Sequence, residues 1–310
     1  MKINTINKLD NRAYSYYSYE VENPVMNLIV AHGLAEDAIR YEYFAKKLNE
    51  EKINVYVINH IAHGEDYTNT ELGHWVEGDF DNCLSNINDL TDLVKSTHPH
   101  LPCVLMGHSM GSFMVQKFEL LYPKRFNGHI LMGCAKADAL FKLGNFAAKF
   151  FALFAKPKKR LKIMNTLAFG SFNKAFKPNK TDFDWLSKNV ENCITYDNMR
   201  TCGYICTASF YKEFYKNVSQ IPNKKYDNLF SKNYPILLVG GSMDMVSNKG
   251  KKLIDLKNYY SLQSNNVSYK LYEDDRHEIL NEDDKDLVIK DIIDWLKNYF
   301  NNIYYYAIIF

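Results

Sequence analysis

One serine stands where a nucleophile would. Ser109 is the centre of Gly107-His108-Ser109-Met110-Gly111, a G-x-S-x-G pattern. The apolar run 103–106 before it reads as a buried strand. Residues 112–121 after it read as a helix, stopped by Pro123. Strand, tight turn and helix is the setting in which this pattern makes a nucleophile elbow. The serine is held in a strained conformation, its hydroxyl standing clear at the carboxyl edge of a sheet and the amino end of a helix. Gly107 and Gly111 flank it because a Cβ there would clash where strand and helix pass close.

A serine nucleophile needs a base, an acid that orients the base, and an oxyanion hole. Enzymes built on such an elbow carry these groups in the chain order serine, acid, histidine. The nine histidines are 32, 60, 63, 74, 98, 100, 108, 129 and 277, and only His277 follows residue 129. It comes just after the predicted strand 267–272, at the strand end that faces Ser109. The acid should follow the predicted strand 235–240, where Gly240-Gly241-Ser242-Met243-Asp244 supplies Asp244. Asp244 would hold the His277 tautomer and stabilise its imidazolium. Asp274 and Asp275 are too close in sequence to His277 to orient it from behind. One oxyanion donor is expected at the Met110 N–H, next to the nucleophile, and the other at the Leu34 N–H, after the strand 27–31. His32 reads as a structural hydrogen-bonder. His60 and His63 lack the Cys or carboxylate partners that would complete a metal site, and Cys202 and Cys206, one helical turn apart, read as core thiols.

The elements that position these groups alternate. Strands are predicted at 14–21, at the sheet edge, and at 27–31, 53–58, 103–106, 129–132, 235–240 and 267–272. Helices are predicted at 41–48, 80–95, 112–121, 249–263 and 287–299. Strands alternating with helices imply an α/β fold, a mostly parallel sheet with helices on both faces. The alternation stops between 135 and 228, a helical insertion without a convincing strand. The expected division is a first core segment over residues 1–134, the insertion 135–228, a second core segment over 229–300 and an uncharged tail 301–310, too short to span a bilayer.

The 310 residues are 46% apolar with a net charge of +2, which is no nucleic-acid-like excess. No signal-peptide core is visible near Met1, and the six cysteines form no CxxC pair. Free thiols in a cytoplasmic protein are expected. The charge is uneven. Residues 135–180 hold eleven Lys and Arg against the single acid Asp138, a balance of +10 that leaves −8 for the rest. Leu143, Phe146, Ala147, Phe150 and Phe154 share one helical face within it. Two readings stand: a core-packing helix with a solvated basic rim, or an apolar face opening on a pocket or interface while lysines meet an anionic lipid surface.

The chain resembles the α/β-hydrolase superfamily. More narrowly, it is similar to the monoacylglycerol lipase, lysophospholipase and serine aminopeptidase-like group. The residues that carry this are His32-Gly33-Leu34-Ala35-Glu36, His60-Ile61-Ala62-His63-Gly64, Gly107-His108-Ser109-Met110-Gly111, Ser242-Met243-Asp244 and Arg276-His277-Glu278. The stretches 181–187 and 276–282 resemble bacterial members. The sequence departs from the group at Asn59, where Asp is usual, and at Ala62, where Gly is usual, leaving the triad intact. The resemblance implies an α/β-hydrolase fold in which the insertion is a helical lid. The expected function is hydrolysis of small-molecule acyl esters, monoacylglycerols or lysophospholipids, by Ser109, Asp244 and His277, with no cofactor. Two alternatives remain: an aminopeptidase or amidase on the same core, or a catalytically silent binding protein. The complete Ser-Asp-His set counts against the latter. The first half of the insertion lacks the carboxylates that would grip an ammonium group, whereas the second half carries Asp182, Asp184 and Glu191. Haloalkane and epoxide hydrolases would carry Asp in place of Ser109.

Overall fold

The computed structural model describes residues 1–6, 14–221 and 230–307. Eight strands form one sheet: β1 (Lys2–Ile6), β2 (Tyr14–Tyr19), β3 (Met26–Ala31), β4 (Ile53–Asn59), β5 (Cys103–His108), β6 (Gly128–Met132), β7 (Ile236–Gly241) and β8 (Val267–Tyr272). Their spatial order is β1-β2-β4-β3-β5-β6-β7-β8. β1, β2 and β4 pair antiparallel, and from β4 to β8 every neighbour is parallel. β2 is therefore an interior strand. The edge is β1, whose short KINTI segment carries too little apolar signal to stand out.

The helices are α1 (Glu42–Glu50), α2 (Asp79–Thr97), α3 (Met110–Leu121), α4 (Ala139–Leu153), α5 (Lys162–Phe169), α6 (Val190–Asn198), α7 (Ala208–Val218), α8 (Lys251–Ser261) and α9 (Lys285–Ala307). The two faces of the sheet follow from strand periodicity. In β3 and β4, Leu28, Val30, Val55 and Val57 point to the side covered by α1 and α9, among Phe44, Leu48, Ile289 and Ile292. Ile29, Ala31, Tyr56 and Ile58 point to the other side, with Phe80, Leu84 and Ile87 of α2 and Phe118 of α3. Each fully buried side chain of this size contributes about 1.5–3 kcal/mol by leaving water. Both faces are therefore closed, and the carboxyl ends of the parallel strands are left to carry chemistry. Helix α9 continues to Ala307, so most of the expected tail is helix, and residues 308–310 lie outside the described residues.

Helices α4 to α7 occupy the insertion, whose stretch 222–228 lies outside the described residues. Among those described, the insertion adds no strand to the sheet and forms one isolated bridge, Arg160 to Thr207. It is tied down by aromatic packing: Trp75, buried in the loop before α2, lies 4.1 Å from the Phe210 ring of α7. Helix α4 is not a core helix. Only Ala148 is buried on it, while Phe146, Leu153 and, just past its end, Phe154 are 70, 79 and 76% exposed.

Candidate active site

Ser109 sits between β5 and α3 with φ 52° and ψ −115°. A non-glycine residue there costs on the order of 1–3 kcal/mol and persists only where its surroundings fix it. Its N–H donates to Met132 O at 3.0 Å. Its carbonyl accepts the Ser112 N–H at 2.9 Å and the Ser112 hydroxyl at 2.6 Å. The flanking glycines are required by space. A Cβ on Gly107 would stand 2.5 Å from Gly111 O, and one on Gly111 would run into Ala31 O.

Asp244 and His277 arrive from the loops after β7 and β8 and meet. His277 Nδ1 lies 2.9 Å from Asp244 Oδ1, both side chains buried. Burial alone would raise the Asp244 carboxyl. The His277 imidazole and the Val246 N–H, donating at 2.8 Å, hold it below its usual range. With Nδ1 directed at Asp244, Nε2 is the nitrogen left for a hydroxyl proton. Asp275 is buried too, but it pairs with Lys188 of the insertion at 2.5 Å, and burial pushes its carboxyl up to about 6.

Ser109 and His277 line one cavity of about 390 Å³, together with Leu34, Phe169, Asp182, Phe183, Trp185, Tyr196, Tyr204 and Glu278. A second cavity, of about 580 Å³, starts from the same Leu34 and Ser109 and includes Met110. Its walls are Phe113, Phe141, Leu143, Ala147, Leu167 and Phe214. Of the predicted oxyanion donors, Leu34 stands at the junction of the two lobes, the first more polar than the second, and Met110 borders the apolar one. Met110 is the first residue of α3, where backbone N–H groups have no intrahelical acceptor.

A buried charge network supports this junction. Glu36 Oε2 lies 3.1 Å from His108 Nδ1, and Glu36 also accepts the Gly33 N–H at 2.7 Å, fixing the turn that presents Leu34. Arg40 bridges Glu36 at 3.0 Å and Glu278 at 2.6 Å. Burial alone would raise Glu36, but His108 and Arg40 hold it well below the carboxylate range, and Glu36 in turn raises His108 against its own burial. Glu36 and Glu278 both stand within sequence motifs, but the motifs do not disclose their partners. The pairing of Arg40 with a residue 238 positions away has no local signature.

His32, His60 and His63 form a second buried cluster, with ring centroids 4.5 to 6.1 Å apart. His32 Nδ1 contacts Gly33 O at 2.8 Å and His63 Nδ1 contacts Ile61 O at 3.0 Å. They brace the loops beside Leu34. Among the described residues no group of three His, Cys, Asp or Glu could hold a metal ion. All six cysteines are buried, and none forms a disulfide among the described residues.

A family profile described as serine aminopeptidase, S33, matches residues 22–284. The chain belongs to this Hydrolase_4 family. Its relatives include the monoglyceride lipase homolog of Monkeypox virus, 25% identical over 96% of this chain and 99% of that protein. The monoacylglycerol lipase of Mycolicibacterium smegmatis is 24% identical over 87% of each chain. In fold, the chain is similar to the carboxyl esterase of Bacillus coagulans, with a TM-score of 0.88 at 21% identity, covering 96% of this chain and 98% of that one. The two departures in this Hydrolase_4 chain have local explanations. Asn59 Oδ1 accepts the Ala38 N–H at 2.9 Å, a role an Asp would also fill. Ala62 has φ 61°, the left-handed region in which glycine is least strained.

Proposed function

We propose that this chain, a carboxylic ester hydrolase, cleaves monoacylglycerol-type esters through an acyl-enzyme on Ser109. The observation that carries the reading is the meeting of a polar and an apolar lobe at Ser109 and Leu34. The acyl chain lies along Phe113, Phe141 and Phe214, and the alcohol half enters the polar lobe. His277 Nε2 takes the Ser109 proton as Oγ attacks the ester carbonyl. The Leu34 and Met110 amides hold the tetrahedral oxyanion. The C–O bond to the alcohol breaks, and His277 returns the proton to the leaving oxygen. Water then attacks the acyl-enzyme by the same route and releases the fatty acid. Asp244 keeps His277 oriented throughout. The viral monoglyceride lipase homolog and the mycobacterial monoacylglycerol lipase support the substrate class.

The insertion, residues 135–228, acts as a lid over both lobes. Its α4 carries exposed Leu140, Phe146, Phe150 and Leu153 beside Lys142 and Lys149, which suits reversible docking on an anionic lipid surface. Each basic residue near such a surface contributes about 1 kcal/mol, screened by salt. No helix among the described residues is long and apolar enough to cross a membrane. A cytoplasmic location fits six cysteines without a disulfide among the described residues.

A panel of glycerol esters, lysophospholipids and aminoacyl amides of matched acyl length tests the reading. Glycerol esters should be turned over fastest, and faster turnover of the amides would overturn it. Binding to anionic vesicles should exceed binding to neutral ones and fall with salt. Equal binding to both would leave the lid as a pocket cover alone.

A further inference from the structure

We propose that the polar lobe is a cation-accepting subsite for the alcohol half of the ester, with Asp182 as its fixed charge. This rests on the reading that the alcohol half enters that lobe, and it adds to the neutral glycerol half a second class of alcohol, one bearing an ammonium group, that the lobe accepts.

The walls are the first ground. Phe169, Phe183, Trp185, Tyr196 and Tyr204 all line this one cavity, and all five come from the insertion, Phe169 from α5 and Tyr196 from α6. Phe169 and Trp185 stack at 5.6 Å, and Phe183 meets Tyr196 edge-on at 4.9 Å. Aromatic rings gathered around a small cavity attract organic cations through their negative faces.

The charges are the second ground. No Lys or Arg lines this cavity, but three carboxylates do: Glu36, Asp182 and Glu278. Glu36 and Glu278 are matched by Arg40 and His108. Asp182 makes no ion pair among the described residues, and it is an exposed residue of the cavity wall. The insertion that carries it has eleven basic residues between 135 and 180, yet none of them reaches this lobe. A phosphate-bearing alcohol would meet an unpaired carboxylate here and no cation. A quaternary or substituted ammonium would meet a counter-charge and aromatic walls in one cavity, with one face of Tyr196 already covered by Arg40 at 4.8 Å.

The test compares butyrylcholine with 3,3-dimethylbutyl butyrate, its neutral isostere in which carbon replaces the nitrogen. Their short acyl chain keeps lipid surfaces out of the measurement. The choline ester should have a kcat/KM roughly tenfold higher, the size expected of a partly desolvated cation against rings and a carboxylate. Asp182→Asn should collapse that ratio. Calorimetric titration with tetramethylammonium, which needs no turnover, should show binding to the wild type that weakens in Asp182→Asn. Equal kcat/KM for the two esters, a ratio unchanged by the substitution, or no tetramethylammonium binding would overturn the subsite. If neither ester turned over but tetramethylammonium still bound in an Asp182-dependent way, the subsite would stand and the ester reading would fall.

Discussion

The indole of Trp185 lies 5.3 Å from the imidazole of His277, centroid to centroid, tilted by 30°. His108 of the elbow stands 4.8 Å from the same imidazole. One wall around the candidate base thus comes from the insertion and another from the core. The insertion is also fastened to the loop that carries His277, because Leu186 O accepts the Glu278 N–H at 2.7 Å and the Ser187 hydroxyl donates to Glu282 at 2.7 Å.

The triad should behave as a unit. Ser109→Ala and His277→Ala should each lower kcat by ~10⁴ or more, with the double variant little worse than either. Asp244→Asn should cost about 10⁴ through the wrong histidine tautomer. Steady-state kinetics with circular dichroism as a folding control decide this, and additive losses in the double variant would contradict a shared mechanism.

The histidine cluster predicts how stability depends on pH. Burial pushes His32, His60 and His63 below the ordinary histidine value, His63 to about 3. The unfolded chain takes up these protons below about pH 6.5, whereas the native protein does not. Stability is therefore complete above that pH and is lost as pH falls toward the folded values. His63 alone contributes a slope approaching 1.4 kcal/mol per pH unit below about pH 6, and His60 and His32 act in the same direction. His108, raised by Glu36, acts the other way, adding stability as pH falls through the unfolded histidine value near about 6.5. Denaturant melts at stepped pH measure it, and a flat profile would show that the cluster protonates within the fold.

Arg40 predicts a stability loss of another kind. Arg40→Met would leave Glu36 and Glu278 as buried carboxylates facing each other. Breaking a buried pair in this way costs about 3–5 kcal/mol. A loss below about 1 kcal/mol in urea unfolding would mean that water or rearrangement replaces the guanidinium.

What sequence reading reached, it reached through local signals. The glycines around Ser109 are needed by close backbone approach, and that requirement is written in five adjacent residues. The inward positions of α9, Ile289, Ile292, Ile293 and Leu296, follow helical spacing and are all buried. The pairing of Asp244 with His277 was legible from strand order, because parallel strands deliver their loops to one edge. The pairing of Arg40 with Glu278 was not, since no periodicity links residues so far apart. The exposed face of α4 was legible only as one of two readings. Its apolar spacing is that of a core helix, and only the tertiary arrangement leaves Phe146 and Leu153 facing outward.

The proposed mechanism turns on a covalent acyl-serine at residue 109. Incubation with a chromogenic fatty-acyl ester, acid quench and intact-mass measurement with peptide mapping test this directly. The expected result is one acyl group per chain, mapped to Ser109 and absent from Ser109→Ala. Acylation at another residue, or full ester turnover by Ser109→Ala, would contradict it.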